Sequence, residues 1–470
     1  MSLLNELAEK NSVVAGSDAY KRITALFDEG SFNEIDAFAG VNSASGVVCG
    51  YGTVCGMPVY AFSQNKDVLG GAVGAAEANK IKKVYDFAVK TGAPVVGIYD
   101  SNGAKLAEEF DALGAYGDML LWSNNISGVV PQVSVIAGTC AGTAAMVACG
   151  ADVVVMSEKA ELFMTAPSVL KASEKWEDEI ATASACAQSG VVHLTAEDDM
   201  AAVAAAKDVI SRLPMNNLSD VPAFEFSVNA DAAAVLRAAS EDIDSVDMTT
   251  VISSVADADS VVYLQAEYGD GAVTALGTLE GATVGFVGLT DSLFIDECTK
   301  ASRFVRFCDA FAIPVVTFIN SCGFEKSILS ENGGILKYAT MLSHAYAEAT
   351  TVKVAVVAGR AYGALYVAAA GRSANADMVL AWPNAVISAL EPDAAVAILM
   401  NDRLAAGENR DELVKEYCTV NASPLKAAQS GKVDDIIDAG LTREKLAAAL
   451  SVMSGKRVTK LPKKHSNMPL

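Results

Sequence analysis

The chain repeats itself, and that repeat limits its folds more than any other feature. Lys80–Pro94 (KIKKVYDFAVKTGAP), continued by VVGIYDSNG to Gly103, is answered by Lys300–Pro314 (KASRFVRFCDAFAIP), continued by VVTFINSCG to Gly323. Lys80/Lys300, Pro94/Pro314, Ser101/Ser321 and Gly103/Gly323 are all 220 residues apart. Upstream, Gly52-Thr53-x-x-Gly56 matches Gly277-Thr278-x-x-Gly281. Downstream, Val133–Met146 (VSVIAGTCAGTAAM) matches Val354–Val367 (VAVVAGRAYGALYV), with Gly138/Gly359 and Gly142/Gly363 separated by 221. Registered glycines over so long a stretch mark a duplicated unit. The 470 residues would suit about three average domains or two larger ones, and the repeat selects two. We expect a boundary within Pro214–Val228, giving domains of residues 1–225 and 226–470.

Each copy has the same coarse pattern. Two strands form a hairpin-like pair (SGVVCGYGTVCGMPVYAFS; TALGTLEGATVGFVGL), followed by a helix of mixed charge. A short apolar strand follows the proline, then a helix, then a strand that breaks at a glycine and runs into an Ala-rich helix. Strands alternating with helices predict an α/β fold with largely parallel sheets. Lys171–Ile180 (KASEKWEDEI) and the tail from Ser454 read as charged, solvated loops.

Hydrophobic residues make up 52% and charged residues 20%, which excludes intrinsic disorder. The net charge of −22 argues against a nucleic-acid partner. So apolar a chain with so acidic a surface is expected to bury more area in an oligomer. Val133–Ala151 is 19 residues without a charge, long enough for a membrane span. Its three glycines and Ser134, Thr139 and Thr143 favour a buried strand, a turn and a buried helix, so no membrane insertion is expected. The opening MSLLNELAEK has no signal-peptide pattern, and a cytoplasmic location is expected. Nine cysteines, an odd number without CxxC, predict reduced thiols. Three histidines in no zinc-like spacing predict no metal.

The common catalytic motifs are missing. There is no GxSxG elbow and no P-loop, and Gly50-Tyr-Gly-Thr-Val-Cys55 falls short of GxGxxG and lies between two strands. The positive signal is the pair of strand–Gly–helix junctions, Gly138–Ala144 and Gly359–Tyr366. First-turn N–H groups have no partner inside their helix, so with the helix dipole they can hold an anion. An anion that develops during a reaction would make this an oxyanion hole. Close helix–sheet packing would also need small residues there.

Several stretches resemble the biotin-dependent acyl-CoA carboxyltransferase family: GSFNEIDAF (Gly30–Phe38), VYAFSQN (Val59–Asn65), SGVVPQVSVIAGTCAG (Ser127–Gly142), RFVRFCDAFAIPVVTF (Arg303–Phe318), AYAEATTVKVAVV (Ala345–Val357), AYG (Ala361–Gly363) and AWPNA (Ala381–Ala385). The resemblance implies two tandem crotonase-like domains of ββα spiral, the first serving the acyl-CoA and the second biotin. It implies transfer of CO2 between carboxybiotin and the α-carbon of an acyl-CoA, with the ureido nitrogen as base, so the protein stabilises an enolate and a ureido oxyanion. By position, the catalytic residues are Gly142 and Thr143 in one hole and Gly363, Ala364 and Leu365 in the other. Gly103, Ala104, Cys322, Gly323, Phe324 and Val367 are implied for substrate binding, Val367 at an acyl pocket suited to an unbranched apolar group.

This chain also departs from the family. Thr143 replaces the second Gly of CAGGA, and Ala364-Leu365 replaces Gly-Ala of AYGGAY, where Leu365 could narrow the pocket. GGARxQEG reads SNGAKLAEE (Ser101–Glu109), PGFxPG reads CGFEKS (Cys322–Ser327), and a family His is missing from ATASACAQSG (Ala181–Gly190). No AMKM motif occurs, so biotin is expected on a separate carrier protein, with a biotin carboxylase subunit as a further partner and a homo-hexamer, a trimer of dimers, as the assembly. The alternatives are the subunit of a sodium-pumping decarboxylase running the same transfer in reverse, and a divergent, non-catalytic scaffold. Lys456, Arg457, Lys460, Lys463 and Lys464 form a basic tail that could attract CoA phosphates but reads better as a solvated terminus. Cys322 reads as a small buried thiol more than as a redox site.

Overall fold

The computed structural model describes residues 14–37, 39, 46–173 and 179–469. The opening decapeptide and Phe38, both used above, lie outside them. The chain divides into two compact units, Met1–Pro222 and Ala223–Leu470.

In the first unit the order is α1 (Asp18–Leu26), β1 (Val47–Val54), β2 (Met57–Gln64), α2 (Ala75–Thr91), β3 (Val95–Ser101), α3 (Glu109–Asn125), β4 (Gln132–Ala141), α4 (Thr143–Cys149), β5 (Val153–Ser157), β6 (Glu161–Phe163), β7 (Leu194–Ala196) and α5 (Asp199–Arg212). The sheet runs from a two-residue strand, Asn33–Glu34, through β1, β2, β3, β4 and β5 to β7, with β6 alongside the far end of β4. The pairing of β1 with β2 is antiparallel, and from β2 onward it is parallel. β3 (VVGIYDS) is buried along its whole length, as a parallel strand covered on both faces must be.

The second unit repeats this as α6 (Met248–Val255), β8 (Val262–Leu264), β9 (Ala272–Leu279), β10 (Ala282–Leu293), α7 (Ile295–Ala310), β11 (Val315–Phe324), α8 (Ile335–Glu348), β12 (Lys353–Tyr362), β13 (Met378–Ala381), β14 (Val386–Ser388) and β15 (Asp435–Ile436). Its sheet runs β15, β13, β12, β11, β10, β9, β8, with β14 beside β12. Both units have the crotonase-like, parallel-rich α/β architecture that the resemblance implied.

The residues shared by the two copies do the same structural jobs. Lys80 and Lys300 are each 2% exposed, and each ammonium donates to a backbone carbonyl, Val47 O and Tyr268 O, both at 2.7 Å. Burial pulls Lys300 down to about 8. The carbonyls of Pro94 and Pro314 accept from Tyr60 and Gly285 at 3.0 and 2.8 Å, where the parallel ladders begin. One carboxylate ties down each hairpin turn: Asp28 accepts from Cys55 and Gly56, and Asp257 from Glu280 and Gly281.

Three local expectations need correction. β4 and β12 do not break at Gly138 and Gly359; they run on to Ala141 and Tyr362. The expected loop at Lys171–Ile180 begins inside a helix, Pro167–Ser173, and its residues 174–178 lie outside the described set. The basic tail has no regular structure but is fastened to the second unit. Lys456 pairs with Asp377 at 2.8 Å and Lys463 with Glu348 at 2.5 Å, while Lys460 lies 3.9 Å from Asp309. An acidic surface gives a basic terminus local partners that its own sequence does not reveal. Among the described residues no helix is long and apolar enough to cross a membrane.

Candidate functional site

β4 and β12 each end at a glycine with left-handed backbone, Gly142 at φ +60° and Gly363 at φ +55°. A side chain at Gly363 would stand 3.3 Å from Ala389 O, and one at Gly142 would stand 3.9 Å from Met164 O. Both turns therefore need glycine for conformation, and the second also for space. The chain then enters a first helical turn, Thr143–Ala144 in one unit and Ala364–Leu365 in the other, whose N–H groups have no acceptor within the helix. The N–H of Gly142 itself is used, donating to Phe163 O at 2.8 Å. Gly142 thus makes the turn, and Thr143 and Ala144 hold the open donors.

A second loop brackets each strand end. Gly103 and Gly323 adopt φ +108° and +110°, and their N–H groups donate to Ser101 Oγ and Ser321 Oγ at 3.1 and 3.3 Å. A Cβ on them would lie 3.9 Å from Ala141 O and 3.7 Å from Tyr362 O, the residues immediately before the two holes. Ala104 bridges to Val73, holding the first loop in place. In the second loop Cys322 and Phe324 are half-buried, and burial pushes the Cys322 thiol up, which disfavours the reactive thiolate.

Behind each hole lies one residue that the sequence reading did not single out. Asp100 Oδ1 accepts from Thr139 N–H at 3.2 Å, and Asn320 Oδ1 accepts from Arg360 N–H at 2.8 Å. These side chains lie against Gly138 and Gly359, where any Cβ would sit 2.2 Å from the same oxygen. The signal was available, since residues 100 and 320 share the 220-residue separation. Their outer atoms differ. Asp100 Oδ2 accepts from Arg22 at 2.9 Å, whereas Asn320 Nδ2 donates to Ile243 O at 2.7 Å.

A cavity of about 390 Å3 adjoins the second hole, lined in part by Gly363, Tyr366, Val367, Ile387, Ser388 and Ala389. Val367 is 53% exposed and faces this cavity, so it is not packed away in a helix. Leu365 is fully buried and does not narrow the space, contrary to expectation. Tyr366–Ala370 is a π-turn, whereas the first hole continues as the regular α4. Such irregular turns recur at functional sites. Met146 takes the register position of Val367 and is 48% exposed.

A scan against family models matches residues 16–468 to the carboxyl transferase domain. Among curated proteins, the methylmalonyl-CoA carboxyltransferase 12S subunit of Propionibacterium freudenreichii subsp. shermanii is 36% identical, over 98% of this chain and 93% of that one. The methylmalonyl-CoA decarboxylase subunit alpha of Propionigenium modestum is 36% identical, over 98% and 95%. The propionyl-CoA carboxylase beta chain of Saccharopolyspora erythraea is 38% identical, over 96% and 90%. A solved structure of transcarboxylase 12S, described as a hexamer with hydrolysed methylmalonyl-coenzyme A bound, superposes with a TM-score of 0.92 at 34% identity, covering 99% of this chain and 98% of that one.

Proposed function

The chain belongs to the carboxyl transferase domain family and is a carboxyl-transferring enzyme, and on that premise we propose how its two halves divide the work. The first unit holds the thioester of an acyl-CoA, with the Thr143 and Ala144 N–H groups facing the oxygen that becomes negative as the α-carbon loses its proton. The second unit receives biotin on a separate carrier, with the Ala364 and Leu365 N–H groups facing its ureido oxygen. When bound, biotin supplies the nitrogen that carries the carboxyl group and takes the α-proton. The cavity beside Gly363 suits such a group, because about 390 Å3 is within the usual range for small-ligand sites and its wall combines apolar Val367 and Ile387 with Ser388. Backbone donors fixed before the reaction need no reorganisation as charge develops.

The observation that carries this reading is the duplication of one anion-holding turn, at Gly142 and at Gly363, in a family whose reaction develops two anions. Activity is proposed within a hexamer that pairs the first unit of one copy with the second unit of another, alongside biotin carrier and biotin carboxylase subunits. The same site run in reverse serves a decarboxylase, and a decarboxylase subunit is as similar to this chain as the 12S subunit is. The test is carboxyl transfer with free biotin against propionyl-CoA and methylmalonyl-CoA. We expect transfer and a sedimenting hexamer; no transfer in either direction, or a monomer at micromolar concentration, would contradict the reading.

A further inference from the structure

The two Ser-x-Gly loops are fastened differently. In the second unit Ser321 Oγ accepts the Gly323 N–H and gives its own proton to Asp291 O, a carbonyl of the neighbouring strand β10. In the first unit Ser101 Oγ accepts the Gly103 N–H in the same way. Its own proton, however, meets Gly103 O at 3.4 Å, too long for a good O–H···O bond. The loop beside the proposed thioester hole therefore lacks an anchor that the loop beside the proposed biotin hole has.

An unused hydroxyl stands where that anchor is missing. Tyr116, on α3, is 4% exposed and packs in the core with Cys140, Ala144 and Ala145. Cys140 is the cross-strand partner of Ser101, so this core lies under the gap between the Gly103 loop and the Gly142 turn. Tyr116 Oη is buried and closes no hydrogen bond among the described residues. A buried hydroxyl left unpaired is costly and calls for a partner. Burial pushes the phenol above its ordinary value, and the Ser101 hydroxyl beside it opposes that shift, so the group remains a proton donor. The buried tyrosine on the matching helix of the second unit is already paired, since Tyr346 Oη and Thr317 Oγ1 lie 2.9 Å apart.

The loop above Tyr116 has a donor to present. Val73 N–H donates to Gly103 O and Lys105 N–H to Val73 O, which leaves the N–H of Ala104 unused by the bridge around it. We propose that Tyr116 is a positioning residue of the first hole: its hydroxyl closes onto Ser101 Oγ when an acyl thioester is held, and fixes the Gly103–Ala104 loop against the thioester oxygen. The proposal rests on the assignment of the first hole to the thioester and adds the side chain that holds the hole in its bound form.

The test compares equilibrium binding of propionyl-CoA and of CoA to the full-length oligomer, with infrared spectra of bound, carbonyl-labelled propionyl-CoA and urea unfolding beside it. The variants are Tyr116→Phe, Ser101→Ala, the double variant, and Tyr346→Phe as a buried-tyrosine control. Tyr116→Phe should weaken propionyl-CoA about fivefold, the scale of one neutral hydrogen bond, and leave CoA unchanged. The carbonyl stretch of the bound thioester should move back toward its value in water. Unfolding of Tyr116→Phe should match the parent, because no bond is lost in the free protein, whereas Tyr346→Phe strands Thr317 and should lose stability with binding kept. Ser101→Ala should weaken propionyl-CoA at least as much, and the double variant should add little to it. Unchanged propionyl-CoA binding and carbonyl stretch in Tyr116→Phe, equal weakening of both ligands, or additive losses in the double variant would each overturn the proposal. The expected pattern in an enzyme that never transfers carboxylate would instead sink the functional reading and leave this one standing.

Discussion

The two units share a backbone and differ in what they place behind it. Both stop a strand at a left-handed glycine, bracket it with a Ser-x-Gly loop, and brace it with a side-chain oxygen from the neighbouring strand. In the first unit the brace is Asp100, held by Arg22, which also donates to Asp199 at 2.6 Å. In the second it is the neutral Asn320, held by a carbonyl. The lesson is that duplication preserved the geometry of the donors, while their surroundings diverged. The first hole sits against a buried charge network; the second opens on a cavity.

Exchanging the braces tests that contrast with the largest expected change in stability. Asp100→Asn keeps the acceptor for Thr139 but removes one of two carboxylates from Arg22, whose side chain is 9% exposed. Stranding a buried charge costs about 3–5 kcal/mol at the extreme, and Asp199 should hold the loss toward the lower end. Urea unfolding should show that loss for Asp100→Asn. Arg22→Met in addition should restore part of it, because a buried charge without a partner is worse than none. If Asp100→Asn is as stable as the parent, the network is ornamental and the two braces are interchangeable.

A smaller effect should follow at Val367, the half-exposed side chain on the cavity wall. Val367→Asp puts an anion on the apolar wall of the cavity proposed to receive biotin. It should lower kcat/KM for free biotin by about tenfold, the scale of losing one or two buried methyl contacts, with little change in fold. The register partner Met146→Asp, beside the hole proposed to hold the thioester, should instead raise KM for propionyl-CoA. Equal shifts at both positions would erase the distinction between the units.

The smallest effect concerns the tail that the second unit fastens. Burial opposes ionisation of Glu348, but hydrogen bonds from Lys463 and Ser466 and the charge of Lys463 prevail and lower it to about 2. A carboxylate lowered from its ordinary 4.5 adds stability that is fully present above that value and fades as pH falls toward about 2. Lys463→Met should therefore flatten the acid limb of the stability curve between those values and leave the neutral plateau slightly lower. An unchanged acid limb would show that the tail is not latched there.

Much of this was legible in the sequence because the repeat is spaced regularly. Lys80/Lys300, Pro94/Pro314 and Gly142/Gly363 identified themselves by position, and each proved to hold the fold or shape the hole. Asp100 and Asn320 kept the same spacing but differ in charge, so a search for matching residues passed over them. Two other features were hidden for physical reasons. Whether a first-turn N–H is free depends on a distant acceptor, and Phe163 takes the one on Gly142. Whether Leu365 narrows a pocket depends on which way a helix turns, and it turns inward.

The central claim is that the two units hold separate anions with equivalent backbone donors. Its most direct test pairs Ala364→Pro with Thr143→Pro. Each removes one first-turn N–H, at a position where proline is tolerated in a helix. Ala364→Gly serves as the control that keeps the donor. Rates of carboxyl transfer with free biotin would be measured beside equilibrium binding of propionyl-CoA, after confirming that each variant is folded and oligomeric. Ala364→Pro should lose on the order of 10²–10³ in transfer rate with propionyl-CoA binding intact, and Ala364→Gly should remain active. Thr143→Pro should lose a similar factor in rate. A folded Ala364→Pro enzyme that transfers carboxylate at the parent rate would contradict the account.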